Sequence, residues 1–269
     1  MTDAAPAVST AIRSHDSYDV RDLFVGHLAH FLGGADAPAP DAQLLGALAQ
    51  TALMVSAPVQ RLILELAPAL LRQLSRLNEP ERIESRREIR GRVDWSATYK
   101  ARMGENNDRS LYVCRQIRRQ FDTLENRLLR YTLVRLLHLT THLPPWLANG
   151  IFWNERSNFS PVSIALQTGV LRRHLQSHLR HVYLREVATP EIITGRHVQR
   201  ARLSKSEMYS EVADMFELHR AAFDGDMGRW LSILQSCVVL PANGESEEAR
   251  QTISAMAWVM ARQPASHLH

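Results

Sequence analysis

Lysine is nearly missing from this chain. Lys100 and Lys205 are the two lysines among 32 basic residues, so arginine carries almost all of the positive charge. A GC-rich genome produces such a bias through codon use, and so does selection for the planar guanidinium fork, which grips phosphate and carboxylate better than ammonium does; the two causes are compatible. Cysteine is as scarce: Cys114 and Cys237 stand alone with no CxxC, which excludes a disulfide framework and suits a reducing cytoplasm. No run of about 18 apolar residues occurs, so no membrane span is expected. The N-terminus, MTDAAPAVSTAIRSHDSYD, carries Asp3 and no basic region ahead of an apolar block, so a secretory signal is not expected either. The chain also lacks a GxxxxGK[ST] loop, a GxSxG elbow and an HExxH pair, which removes P-loop nucleotide hydrolysis, the α/β-hydrolase nucleophile and the zincin site from consideration. There is no internal repeat and no low-complexity tract.

What remains is a chain of 269 residues, 45% apolar and 22% charged, the balance of an ordinary globular protein with one large core or two smaller ones. Its net charge of +4 is unevenly spread. Residues 1–71 carry three arginines against seven acids, whereas residues 72–130 carry fifteen basic residues against nine acids. The positive charge is therefore concentrated in one stretch near the middle.

Apolar spacing predicts a helix from Tyr18 to Leu32 through Val20, Leu23, Phe24, Leu28 and Phe31, ended by Gly33-Gly34. The ADAPAP stretch reads as a linker. Asp41 reads as the N-cap of a helix through Leu44, Leu45, Leu48 and Leu53. Pro58 starts another, through Leu62, Leu66, Leu70, Leu74 and Leu77, with a kink expected at Pro68. Beyond Glu79-Pro80 the period changes. Ile89, Gly91 and Val93 alternate with Arg90, Arg92 and Asp94 as in a half-buried strand. Leu111, Val113 and Ile117 make a second, with GENND as the turn between them. Asp122-Thr-Leu-Glu125 has the form of a capping box, with Asp122 as cap and Glu125 reaching back. It opens a helix through Leu128, Leu129, Leu133, Leu136 and Leu137 that Pro144-Pro145 stops. Further helices are predicted over Ile164–Leu184, from a second capping box at Ser204–Glu207 to Phe223, over Trp230–Val239 and over Glu247–Met260. The expected fold is mainly α with a small β element (α+β), a helical bundle flanking a short antiparallel sheet. Its segments are a flexible 1–17, a helical 18–80, a strand-strand-helix module at 81–145 and a helical 146–269.

Two arginines flanking Gly91 share a face if the segment is a strand, because strand side chains repeat every two residues. With Arg115, Arg118, Arg119, Arg86 and Arg87 close in sequence, Arg90 and Arg92 predict a basic patch for phosphate or for the acidic rim of a protein. The alternative is a solvated strand face that keeps an edge soluble. Tyr99, Tyr112 and Phe121 are available for stacking on bases, and equally for a core. Gly91 fits a bulge or a close backbone approach, and Asp94 fits the cap of a short helix from Ser96 to Met103. Asn126 faces away from Glu125 and is placed to bridge helix to strand. His138/His142 and His174/His178, with His181, sit at helical spacing, yet they lack the further ligands zinc needs, so no metal and no cofactor are expected. Cys114 reads as a small core residue rather than a nucleophile. No catalytic residue is assigned.

The order IRGRVDW, then VCR, then FDTLENRLLRYTL resembles the McrC family of modification-dependent restriction systems. The matching residues are Arg90, Gly91, Arg92, Val93 and Asp94, then Val113 and Cys114, then Asp122, Thr123, Glu125, Asn126, Arg127, Leu128 and Leu129. The pattern departs at Leu124, where that family has Pro, and at Arg130, where it has Lys. The stretch RHVQRARLSKSEMYSEVADMFELHR is similar to the helical region that precedes the nuclease in the same group. The resemblance implies a partner, a ring-forming AAA+ NTPase, and DNA as a further ligand. It also implies a nuclease of the PD-(D/E)xK type, whose Lys lies two residues beyond a metal-binding acid. Here Thr98 precedes Lys100 and Leu203 precedes Lys205, so neither lysine completes that element. The chain is also expected to end about where such a nuclease would begin. The resemblance thus implies an adaptor, not an enzyme, with the nuclease lost or carried by a separate subunit. A stand-alone nucleic-acid-binding protein rich in arginine is the alternative.

Overall fold

The computed structural model describes residues 40–104, 108–153, 161–224, 227–241 and 247–260. The predicted helix at Tyr18–Leu32, the N-terminal tail, nearly all of the linker and the centre of the GENND turn lie outside the described residues.

Asp41 caps the first helix as its spacing predicts, its Oδ2 accepting from the amides of Gln43 at 3.0 Å and Leu44 at 3.3 Å. That helix, α1 (Ala42–Val55), is apolar on nearly every side, with Leu45, Leu48, Ala49, Leu53 and Met54 fully buried. A helix without a polar face belongs in the middle of a core. Extended backbone at Ser56 separates it from α2 (Ala57–Arg61), which a π-helical turn (Leu62–Leu66) joins to α3 (Ala67–Arg72). The kink expected at Pro68 is replaced by this wider turn. The Ala67 amide donates five residues back to the Leu62 carbonyl, and Pro68 falls in the first turn of α3, where a missing N–H matters least. The helix also stops earlier than predicted, at Arg72; Leu74 is buried beyond it, and Leu77 begins a strand. By length and composition Ala42–Arg72 is apolar enough to cross a membrane, with mean hydropathy 1.3, but 61% of that window is buried inside the fold. It is a core helix.

Around it pack α5 (Leu124–Thr141), α7 (Ile164–Leu179), α10 (Glu207–Phe223), α11 (Met227–Ser236) and α12 (Glu247–Met260). Short helices α6 (Pro145–Ala148), α8 (Val182–Arg185) and α9 (Gly195–Arg202) complete the helical body. A small sheet of order β5-β4-β6, from β4 (Ile151–Trp153), β5 (Val162–Ser163) and β6 (Val238–Leu240), closes one side. Gly150 is required there, because a Cβ on it would lie 2.3 Å from the Leu240 carbonyl oxygen.

Three helix expectations need correction. The predicted Ile164–Leu184 helix breaks at His181, whose extended backbone separates α7 from α8. The predicted Trp230–Val239 helix ends at Ser236, because Val238–Leu240 is drawn into the sheet beside β4. The box at Ser204–Glu207 does not form; Ser206 is the cap residue and α10 starts at Glu207. The final helix, Glu247–Met260, is as predicted. The fold is mainly helical with a minor antiparallel β component.

Candidate functional site

Residues 77–120 form an arm of their own. Strand β1 (Leu77–Arg86) pairs antiparallel with β3 (Leu111–Gln120) along its whole length, from Leu77 opposite Gln120 to Arg86 opposite Leu111. Ten residues of strand make a ribbon about 33 Å long. Strand β2 (Arg92–Val93) lies on the other side of β3, and helix α4 (Trp95–Arg102) packs on β3. The Thr98 hydroxyl fixes that packing, donating to the Val113 carbonyl at 3.3 Å and accepting from its amide at 2.9 Å. Val113 and Cys114 are buried in this module, apart from the main core. Most of β1 is exposed on both faces, as is Ile117 of β3. The arm elements pack chiefly on one another and not on the helical body.

The sequence places Arg90 and Arg92 on one strand face, and here the structure differs. Arg87 and Gly91 adopt positive φ, 66° and 97°, so the chain turns twice before extended backbone begins at Arg92. Arg90 lies in that turn and pairs with Glu88 at 2.9 Å. Gly91 is needed for the turn, since a Cβ there would be 2.6 Å from the Arg115 carbonyl oxygen. Gly91→Ala should therefore loosen β2 by about 1–2 kcal/mol, seen as faster amide exchange at Asp94, whose N–H donates to the Val113 carbonyl. Unchanged exchange would remove this role for Gly91.

Register assembles a different row. Arg82 of β1 and Arg92 of β2 both stand opposite Arg115 of β3, so three arginines cross one face of the sheet. Asp94 offsets their repulsion: its Oδ2 accepts from Arg115 Nε at 2.9 Å and Nη2 at 2.6 Å, with Arg82 Nη2 at 3.6 Å. Its Oδ1 caps α4 through the Ala97 amide at 3.1 Å. These bonds, that from Arg115 first, hold the Asp94 carboxyl below its ordinary range. Arg119 shares the face of Arg115, while Arg118 points to the other and pairs with Glu81 at 3.7 Å. Arg86 pairs with Asp108 at 3.5 Å. Arg87, Arg92 and Arg119 have no carboxylate partner among the described residues. Sequence reasoning missed Arg82, because its strand has no apolar alternation to reveal it.

The remaining motif residues build the root of the arm. The cap of α5 is Thr123, whose hydroxyl accepts from the Asn126 amide, and not Asp122 as the capping-box pattern predicts. Asp122 is drawn instead to Arg127, at 2.8 and 2.6 Å, and to the Ala188 amide at 3.0 Å. Arg127 above all keeps its carboxyl below the usual range. Glu125 does not reach back to the cap; it is buried and accepts from Arg200 of α9 at 3.0 Å. Asn126 is fully buried, and its Nδ2 donates to the carbonyls of Ser75 and Phe121, both at 2.7 Å, while its Oδ1 accepts from the Tyr209 hydroxyl. Ser75 lies just before β1 and Phe121 just after β3, so one side chain ties both crossings into the arm. Tyr209 and Arg200 carry no motif that would have singled them out.

Of the aromatic residues noted for stacking, Tyr99 is exposed, Tyr112 lies under the Arg102 guanidinium at 4.4 Å, and Phe121 stacks on Tyr183 at 4.3 Å. Trp95 was overlooked and is exposed beside Tyr99. His138 and His142 stack on each other at 3.7 Å, and His178 Nε2 is bonded to the Ile63 carbonyl at 2.8 Å. Among the described residues, no three His, Cys, Asp or Glu side chains converge to hold a metal. Cys114 and Cys237 are buried free thiols, and burial pushes the Cys237 thiol well up.

No protein-family model matches the chain, and no curated protein does.

Proposed function

We propose that this protein is a non-catalytic adaptor of a bacterial restriction or anti-phage system, acting in the cytoplasm on a ring-forming AAA+ NTPase. The arm is its docking element. The observation that carries this reading is the row Arg82–Arg115–Arg92 on a ribbon that stands clear of the helical body, with Arg92 and Arg119 lacking carboxylate partners among the described residues. Such a row suits an acidic surface or a bound nucleotide's phosphates. The resemblance to the McrC family supports it further, since Gly91 and Asp94 shape the arm while Asp122, Glu125, Asn126 and Arg127 anchor its root. Cutting is assigned to a separate nuclease subunit, and DNA is a ligand of the assembled system.

The test is reconstitution with the AAA+ NTPases of the source organism. The wild-type chain is expected to raise NTP hydrolysis by one of them severalfold. Arg92→Glu with Arg119→Glu should abolish that gain while far-UV circular dichroism and melting stay unchanged. Full stimulation by the double variant, or none by the wild type with any candidate, would end the adaptor reading.

A further inference from the structure

Helix α4 presents an apolar stripe to solvent. Trp95, Tyr99 and Met103 recur every fourth residue, which places them on one face, and they are 65%, 63% and 64% exposed. Large apolar side chains scattered singly need no explanation, but three in a row along an eight-residue helix and its C-cap, Met103, do. The stripe borders a shallow groove of about 570 Å³ lined by Trp95, Ser96, Thr98, Tyr99, Lys100 and Arg102.

The chemistry around the groove is one-sided. Residues 95–104 contain no carboxylate. Lys100 lies in the groove, Arg92 is two residues ahead of the Asp94 cap, and Arg109 lies in the turn that returns to β3. None of the three has a carboxylate partner among the described residues. The two described acids flanking the helix are engaged inside the module, Asp94 by Arg115 and Asp108 by Arg86 and the Ser110 hydroxyl at 2.6 Å. Two exposed rings one helical turn apart, about 6 Å along the axis, with Lys100 and Arg102 lining the same groove and Arg92 three residues ahead of Trp95, form a stacking platform with cations beside it. Single-stranded nucleic acid needs that combination: bases stack on aromatic faces and phosphates meet Arg and Lys. An apolar groove on a protein partner would use the stripe but would leave the unpaired cations unexplained.

We infer that the exposed face of α4, built on Trp95, Tyr99 and Lys100 with Arg92 just ahead of it in the chain, is a binding site for single-stranded nucleic acid. Duplex DNA binds it more weakly, because its bases are not free to stack. The site is independent of the adaptor reading, for it requires no motor.

The experiment uses the full chain and a fluorescein-labelled oligo-dT of about 15 nucleotides, near the upper end of the roughly 4–16 nucleotides that one OB-fold covers and so long enough for a smaller site. Anisotropy should report binding at about 50 mM salt that weakens steeply as salt rises. Stacking is worth about 1–3 kcal/mol per base, so Trp95→Ala or Tyr99→Ala should each weaken binding about 5- to 150-fold. Trp95→Phe should bind nearly as wild type yet lose the quenching of tryptophan emission, since Trp146, Trp153, Trp230 and Trp258 belong to or pack on the main core. No binding by the wild type, equal binding by the alanine variants, or equal preference for a duplex would overturn the inference. Alanine variants that bind oligo-dT normally but fail to stimulate the NTPase would mark α4 as a protein-docking face, and would overturn it as well. Failure of stimulation with oligonucleotide binding intact and sensitive to Trp95 would instead sink the adaptor reading alone.

Discussion

Asn126→Ala is expected to lower the stability of the whole protein by about 3 kcal/mol, or roughly 6–12 °C in melting temperature for a chain of this size. The substitution removes the side-chain donor of the Ser75 carbonyl and the acceptor of the Tyr209 O–H at a fully buried side chain, while the Phe121 carbonyl keeps the Thr123 amide. Each buried polar group left without a partner is worth about 1–3 kcal/mol, and water can reach some of them once the side chain is gone. Tyr209→Phe removes fewer bonds, because Asn126 keeps both carbonyls, and should have the smaller effect. Since the two groups act on one network, the double variant should lose less than the sum of the singles. The Tyr209 hydroxyl also accepts from the Ser75 amide at 3.0 Å, so this network joins α5, α10 and the entrance to β1. Burial pushes the Tyr209 phenol up to about 12. The unfolded chain gives up that proton near pH 10, so this share of stability is lost as pH rises from 10 toward 12. Denaturant titration of the three variants checks the claim. If Asn126→Ala unfolds at the wild-type midpoint, or if amide exchange in β1 and β3 is unchanged, then Asn126 does not hold the arm to the body.

Which features could be read from sequence follows from how local their causes are. The caps at Asp41 and Asp94, the helix stopped by Pro144 and the terminal helix Glu247–Met260 depend on neighbours within a few residues, and their patterns announce them. Strand β3 was legible too, because Leu111 and Val113 turn toward an interior. Its partner β1 was not. LNEPERIESR has a Pro and five charged residues and buries almost nothing on either face, so no period-2 signal marks it. It is a strand because ten backbone positions pair with β3, a tertiary cause that hydropathy does not record. The second sheet escaped for a related reason: strands of two or three residues are too short to show alternation.

The site divides along the same line. The sequence identified the basic stretch and most of the motif residues, but the arginine row is set by register across three strands. Arg82 enters it from a strand that could not be seen, while Arg90 leaves it because Arg87 and Gly91 turn the chain. The shift of the α5 cap from Asp122 to Thr123 has the same origin. D-T-L-E and T-L-E-N are both plausible starts, and the choice is decided by Arg127 and the distant Ala188 amide, which claim the Asp122 carboxylate. The stripe Trp95-Tyr99-Met103 is the reverse case. Its spacing is plain in the sequence, yet apolar spacing ordinarily means a buried face, and only the arm's separation from the body leaves this one in solvent.

Acidification should destabilise the protein well above the range in which carboxylates titrate, and His219 is the main reason. It sits on α10, buried, with its ring stacked on Phe223 at 4.7 Å and its Nε2 without a hydrogen-bond partner among the described residues. Burial, reinforced by the charges of Arg135 and His138, lowers its pKa to about 4, against 6.5 for the free side chain. The unfolded chain therefore takes up a proton as pH falls through 6.5 while the folded protein does not. Stability is fully present above that value and drains away toward pH 4, by about 3 kcal/mol for this residue. His178 and His197, whose pKa values burial also lowers, act in the same direction. Asp94, Asp108 and Asp122 have lowered values as well, so their contribution is lost below about pH 4 and does not confuse the upper part of the curve. His219→Leu should flatten the decline between pH 6.5 and 4.5, because leucine has no proton to gain and no ring nitrogen to leave unpaired. Urea midpoints measured at half-unit intervals give the comparison directly. Parallel curves for the two proteins would show that the acid sensitivity arises elsewhere.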